Sequence, residues 1–262
     1  MYRDPPEIAA ATRALWAALG DRLRDAGLVE APARLDETIA HDAAWLDPRL
    51  LLAQTCGYPF VTRLRGRVRL VATPVYAHAG CDGVLVGSFV VVHERSSARG
   101  IVDLRGATVA VNDPHSNSGM NLLRRLVAPH AVAGRFFGRV IASGSHVASL
   151  ALVAGGQAAT AAIDCVTYGN LARFAPEQLA GIRILATTAK TPGLPLITRA
   201  AAGEREVTML RDGLTDMLAD PSTARLRDTL GLRGIEILSD DAYEIVLEIE
   251  RDAAALGFPV IA

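Results

Sequence analysis

From residue 101 onward, the apolar positions of the chain switch back and forth between two spacings. Residues 107–111 are short, apolar and β-branched, with Gly106 on their left, and predict a buried strand. Residues 112–119 hold Asn, Asp, Pro, Ser and Gly and almost nothing to bury, which predicts a turn. Met120, Leu123, Leu126 and Val127 then recur at helical spacing, with Arg124 and Arg125 in a late turn where they suit the helix dipole. The same order repeats twice. A strand over 139–142 leads to a helix over 146–154, and a strand over 160–163 leads to a helix through Leu171 and Phe174. A further strand is predicted over 182–186. Strands and helices alternating at this spacing imply right-handed crossovers and a parallel sheet. Three polar loops then leave one sheet edge. They carry Asn112, Ser116 and Ser118, then Ser143, Ser145 and His146, then Asp164, Thr167 and Tyr168. Open parallel sheets bind ligands at that edge.

The flanking parts follow other patterns. Pro5-Pro6-Glu7 opens a helix whose buried face is Ile8, Ala11, Leu15, Leu19 and Leu23, and Gly27 ends it. Residues 31–46 read as irregular. A second helix is expected from Leu46, with Asp47 as cap, Pro48 in its first turn and Gly57-Tyr58-Pro59 as its stop. Strands are expected over 67–73 and 85–93, around a loop that carries Tyr76 and His78. A strand over 196–199 and helices over 205–218, 223–230 and 242–256 complete the chain, with 231–239 read as a break. The block from about 95 to 190 looks self-contained, so the two ends are expected to form a second lobe together.

Composition narrows the function. The chain has 262 residues, 50% of them hydrophobic, enough for one large core or two smaller ones. Its net charge of −1, with no basic run, argues against nucleic acid as the partner. No apolar run reaches the ~20 residues of a membrane helix. Cys56, Cys81 and Cys165 lack metal-ligand spacing, and no cofactor motif or metal site is read from the sequence. Cys56 and Cys81 are available to pair in an oxidising compartment, but buried thiols are the favoured reading. Ser116 and Ser118 stand where a helix begins, and free amides plus the dipole make such a place a site for an anion. The plainer alternative is that Ser118 or Asn117 simply caps the helix. Cys165, beside Asp164 and one loop from His146, can be drawn as an enzymatic nucleophile, yet its apolar context after a buried strand favours a structural role.

The chain resembles the phosphate/phosphonate-type substrate-binding proteins of ABC importers. The resemblance rests on residues 103–119, 144–150, 162–167, 51–59 and 192–195, in order along most of the chain. It implies a two-lobed α/β fold of the type II periplasmic-binding class, each lobe a mainly parallel sheet flanked by helices, with the ligand cleft between lobes. Lobe one is expected from 1–92 plus 192–262 and lobe two from 93–191. The resemblance also implies that Ser116, Asn117 and Ser118, in one loop with Asn112 and Gly119, hold an oxyanion such as phosphate or a phosphonate. His146, Asp164 and the lobe-one residues Tyr58 and Ser88 are expected to close over the rest of the ligand. Asn117 stands where the family usually has Ser or Thr. The implied role is solute binding for an ABC permease, not catalysis; a cytoplasmic sensing domain of the same fold is the alternative. Two departures go with it. The first residues show no basic segment followed by an apolar core, so the periplasmic location expected of the family lacks an export signal in this sequence. The family's first lobe also begins with a strand, of which Met1-Tyr2 look like the tail.

Overall fold

The first helix forms where its apolar spacing places it. In the computed structural model, which describes residues 2–262, it runs Pro6–Asp25 and buries Ile8, Ala11, Leu15, Trp16, Leu19 and Leu23. Gly27, at φ +104°, turns the chain out of the helix, and Leu28 N–H bonds back to Leu23 O at 2.8 Å. The buried stripe meets Leu210, Leu214 and Met217 of the helix Glu204–Ala219 and Val71 and Ala72 of the strand Val68–Tyr76. These elements belong to the first of two compact units. That unit comprises the chain up to Ala77, with Asp82–Val84 and Pro192–Ala242.

Its sheet has the order Ala53–Gln54, Leu196–Arg199, Val68–Tyr76, Leu232–Glu236, and all three neighbouring pairs run antiparallel. The expectation of a mainly parallel sheet fails in this unit. Leu232–Glu236 was read as a break because glycine interrupts it; it is an edge strand with a register shift between Leu232 and Gly234. The expected helix from Leu46 is also absent. Asp47 instead takes the Arg49 N–H and guanidinium, and Ala53–Gln54 enters the sheet. Gly57-Tyr58-Pro59, read as a helix stop, is a helix start that continues through Phe60–Leu64. Proline suits either end, because its missing N–H costs nothing in a first turn.

The second unit comprises His78–Cys81, Leu85–Thr191 and Tyr243–Ala262. Its five-stranded sheet has the order Arg139–Ala142, Thr108–Val111, Thr160–Asp164, Ser88–His93, Ile182–Thr187. The first three are parallel, as the alternating pattern predicts. Ser88–His93 is antiparallel to both of its neighbours. It sits inside the sheet with Phe89, Val90, Val91 and Val92 buried, which is why its sequence is an unbroken apolar run. Residues 88–92, expected in lobe one, therefore lie in a strand of this second sheet. The C-terminal segment, also expected in lobe one, is tied here too: Val246 O and Pro259 O accept from Asn121 Nδ2 and Arg124 Nη1 at 3.0 and 2.7 Å.

Candidate functional site

The strand Thr108–Val111 delivers the chain to a polar turn, and the turn is held by its own groups. Asp113 accepts from His115 N–H at 2.6 Å through its side chain and from Ser116 N–H at 3.0 Å through its carbonyl. Ser116 is the helix cap, its Oγ accepting from Gly119 N–H at 3.0 Å. Neither Ser118 nor Asn117 has that role. The first turn, Asn117–Asn121, is a π turn that runs on into the helix Leu122–Val127. Such wide turns are frequent at functional sites.

Because Ser116 does the capping, Ser118 is released for other partners. Its Oγ lies 3.1 Å from His146 Nε2 and 3.4 Å from Ser116 Oγ. Its carbonyl accepts from Ser88 Oγ at 2.9 Å. Ser88, expected in lobe one over the ligand, is thus a fully buried brace behind the loop. Asn112 and Gly119 touch directly: a Cβ on Gly119 would stand 1.7 Å from Asn112 Oδ1 and 3.2 Å from His146 Cε1. Only glycine admits that approach. Asn112 Oδ1 is itself buried with no hydrogen-bond partner.

Asn117 turns inward. Its Nδ2 donates to Thr191 Oγ1 at 2.9 Å, and its Oδ1 accepts from Asn121 Nδ2 at 3.0 Å. Asn121 Oδ1 in turn accepts from Arg124 Nη2 at 2.6 Å. Asn117 thus anchors the loop through its side-chain amide. Thr191, Asn121 and Arg124 are supporting residues that sequence reasoning did not find. Thr191 lies 74 positions from Asn117 with no local signal, and Arg124 was read only as a late-turn cation.

The neighbouring loops supply His146 and Asp164. Ser145 caps the helix His146–Ala154 by accepting from Ala148 N–H at 3.0 Å, and Ser143 Oγ meets Ser149 Oγ at 2.6 Å. Both serines are therefore occupied by local structure. Burial pushes the His146 imidazole below its ordinary range, against the weaker opposite pull of the Asp164 carboxylate and the Ala162 carbonyl. The ring facing Ser118 is neutral at neutral pH. Asp164 is 1% exposed and caps the helix Cys165–Phe174, its Oδ1 accepting from Val166 and Thr167 N–H at 2.9 and 3.0 Å. Its Oδ2 is buried without a hydrogen bond. The cluster therefore offers the hydroxyls of Ser116 and Ser118 and a neutral imidazole. It also holds two unsatisfied acceptors.

Tyr58 belongs to the first unit, buried in the turn Gly57–Pro59, and its carbonyl accepts from Thr62 Oγ1 at 2.7 Å. Cys165 is no thiolate at rest: Cys81 beside it and burial both push its thiol far up, so the resting side chain stays protonated. Among the described residues no group of His, Cys, Asp and Glu is arranged to hold a metal ion, and no helix is long and apolar enough to cross a membrane.

Known proteins place this architecture. Three solved structures share the fold. A protein from Prochlorococcus marinus in complex with methylphosphonate, PhnD1, has TM-score 0.77 at 16% identity, covering 96% of this chain and 95% of that one. A protein from Xanthomonas citri bound to chloride has TM-score 0.71 at 17% identity, over 98% and 96% of the two chains. A binding-protein component of an ABC phosphonate transporter from Pseudomonas aeruginosa has TM-score 0.70 at 19% identity, over 82% and 72%. No curated protein matches the sequence. At these identities the structures establish the two-lobed periplasmic-binding fold and nothing finer. The family is set by the sequence itself, which over residues 3–243 matches the one described as "ABC transporter, phosphonate, periplasmic substrate-binding protein". A chain matched over that span is a solute-binding component with a ligand to carry and a permease to serve, and it belongs to the periplasmic substrate-binding proteins of ABC phosphonate transporters.

Proposed function

We propose that the helix start at Ser116–Gly119 receives the oxyanion of a phosphonate or of phosphate, for delivery to an ABC permease from the periplasm. The observation that carries this reading is Ser118. Its hydroxyl stands in the first turn of a buried helix start, beside a neutral imidazole, and is spared from capping by Ser116. The dipole of the helix start favours negative charge there, and a neutral cap leaves that preference unanswered. Hydrogen bonds to a charged acceptor contribute roughly 1.5–3 kcal/mol each, so a few such donors hold an anion without a lysine or arginine. Asn112 and Asp164 bring acceptors that suit a protonated phosphate oxygen or an amine carried by the same ligand. The methylphosphonate of the Prochlorococcus marinus relative belongs to the same chemical class. Tyr58 is the first unit's proposed contribution, in keeping with the family resemblance, and Ser88 acts from behind the loop.

The test is a thermal-shift and calorimetric titration of the purified protein against phosphate, methylphosphonate and a larger aminoalkyl phosphonate, with sodium chloride at matched ionic strength. A ligand at 100 times its Kd stabilises by about 2.7 kcal/mol, well within reach of a melting experiment. Stabilisation by at least one phosphorus oxyanion beyond that given by chloride is the expected result. Equal curves for all salts would remove the reading.

A further inference from the structure

Cys81 and Cys165 are 84 positions apart in sequence, yet their sulfurs lie 3.6 Å apart. Both belong to the second unit. Cys165 is fully buried at the first position of the helix Cys165–Phe174, with its N–H bonded to Gly87 O at 3.1 Å. Cys81 is half-buried and closes a turn through its N–H to His78 O at 3.0 Å. The backbone of that turn already presses on its partner, since a Cβ on Gly80 would stand 2.7 Å from Cys165 Cβ. The segment His78–Cys81 is a short piece of the second unit lying in sequence between two stretches of the first. Nothing in the ligand-binding reading uses this thiol pair.

We propose that Cys81 and Cys165 form a reversible disulfide that clips the His78–Cys81 segment to the helix capped by Asp164. The sulfurs must close from 3.6 Å to about 2.05 Å, a shift that small side-chain rotations supply. With a peroxide as oxidant the electrons balance. The Cys81 thiolate attacks one peroxide oxygen, the O–O bond breaks, and hydroxide leaves and takes up the proton Cys81 had released, giving water. The Cys165 sulfur then attacks Cys81 sulfur, the S–O bond breaks, and the oxygen departs as a second water with the Cys165 proton. Two thiols and one peroxide thus yield one disulfide and two waters. Cys81 takes the first step because it is the more exposed of the two. Its surroundings also lower its thiol on balance: Cys165 foremost, against burial, then the His78 contact, with the Asp164 carboxylate raising it and Lys190 lowering it.

The experiment counts thiols in the intact protein. After reductant is removed and hydrogen peroxide added in slight molar excess, the protein is denatured, its thiols are titrated and its digest is mapped by mass spectrometry. The three thiols of the reduced protein should fall to one, with Cys81 and Cys165 in a single cross-linked peptide and Cys56 alkylated; dithiothreitol should restore all three. Cys56→Ala should lose both of its remaining thiols to the same cross-link, and Cys165→Ser should form no cross-link, its Cys81 stopping at the sulfenic acid that dithiothreitol returns to the thiol. Three persisting thiols, a cross-link to Cys56, or Cys81 driven to the sulfinic acid without a cross-link would each overturn the proposal. The wild-type peptide map decides the matter even where a variant folds poorly.

Discussion

Two helix starts on one sheet edge differ in a way that bears on the anion site proposed at the first of them. The helix after Ser116 is capped by a neutral hydroxyl that answers one amide, Gly119 N–H. The helix after Asp164 is capped by a carboxylate that answers two, Val166 and Thr167 N–H. Each start concentrates positive potential, but at Asp164 the chain has already placed a negative charge on it. At Ser116 the potential is left for something from outside. The difference lies in one cap residue rather than in the number of hydroxyls nearby.

Exchanging the two starts is the most direct way to break this contrast. Ser118→Asp puts a carboxylate into the first turn of the Ser116 start, two residues after its neutral cap. It should abolish oxyanion binding, by more than about 100-fold on the relation of 1.4 kcal/mol to a factor of ten. Stability should hold or rise, because an acidic residue in a first turn is favourable by about 0.3–1 kcal/mol. Calorimetry read beside a melting curve separates the two effects. Tight binding that survives this change would place the anion elsewhere.

Gly119→Ala tests the geometry of the same start. Its Cβ cannot stand 1.7 Å from Asn112 Oδ1, so either the amide or the helix start must move. Overpacking of this kind costs about 1–3 kcal/mol, to be read from denaturant unfolding, and affinity should fall with it. Ser118→Ala is milder. It removes one charge-assisted bond and should weaken binding roughly ten- to hundredfold. Unfolding should barely change, because the cap is Ser116.

The contrast between the starts was only half legible in the sequence. Residues 139–154 could be read almost to the residue, because a short β-branched run, a serine cap and an apolar helix carry their signals locally. Asp164 and Ser116 were likewise visible as polar residues at strand ends. Which of Ser116, Asn117 and Ser118 caps was not visible, since all three are competent caps and a π turn shifts the count by one. The side of the fold on which Ser88 lies was not visible either. A central strand buried on both faces shows no alternation, and its direction is set by partners 68 or more residues away. The Asn117–Thr191 tie is of the same kind. Local chemistry gave the loop, and non-local pairing decided which of its side chains face inward.

Acidity offers a smaller effect that still sharpens the comparison, because the Ser118 hydroxyl of the Ser116 start meets the His146 ring directly. His146 in the folded protein titrates below its ordinary value near 6.5, so the unfolded chain takes up its proton first. Its contribution to stability should be intact above about pH 6.5, be lost as pH falls toward the lowered folded value, and then level off. Melting curves across that window, against His146→Gln, should show the wild type losing more stability on acidification. Anion affinity should move the opposite way in the same window, since a bound negative charge beside the ring favours its protonation.

The smallest effect is expected from Asp164→Asn, the reverse exchange. An asparagine Oδ1 can keep accepting from Val166 and Thr167 N–H, so the helix cap survives; asparagine and aspartate are about equal there. What is lost is the charge at Oδ2, which is buried and makes no hydrogen bond. Stability should change by no more than about 1 kcal/mol, since the removed interaction is a cost as much as a contact. For phosphate or methylphosphonate, affinity should hold or improve by less than about tenfold, because the anion is proposed at the other start and a carboxylate here would only repel it. An aminoalkyl phosphonate should respond differently if its ammonium meets Oδ2: it would lose affinity in the variant while the simple anions do not. Opposite signs for the two ligand types, measured by calorimetry on one preparation, would assign Asp164 to the far end of the ligand. A large loss for every ligand alike would instead mean that the anion is held at the Asp164 start, and the contrast between the two helix starts would fall.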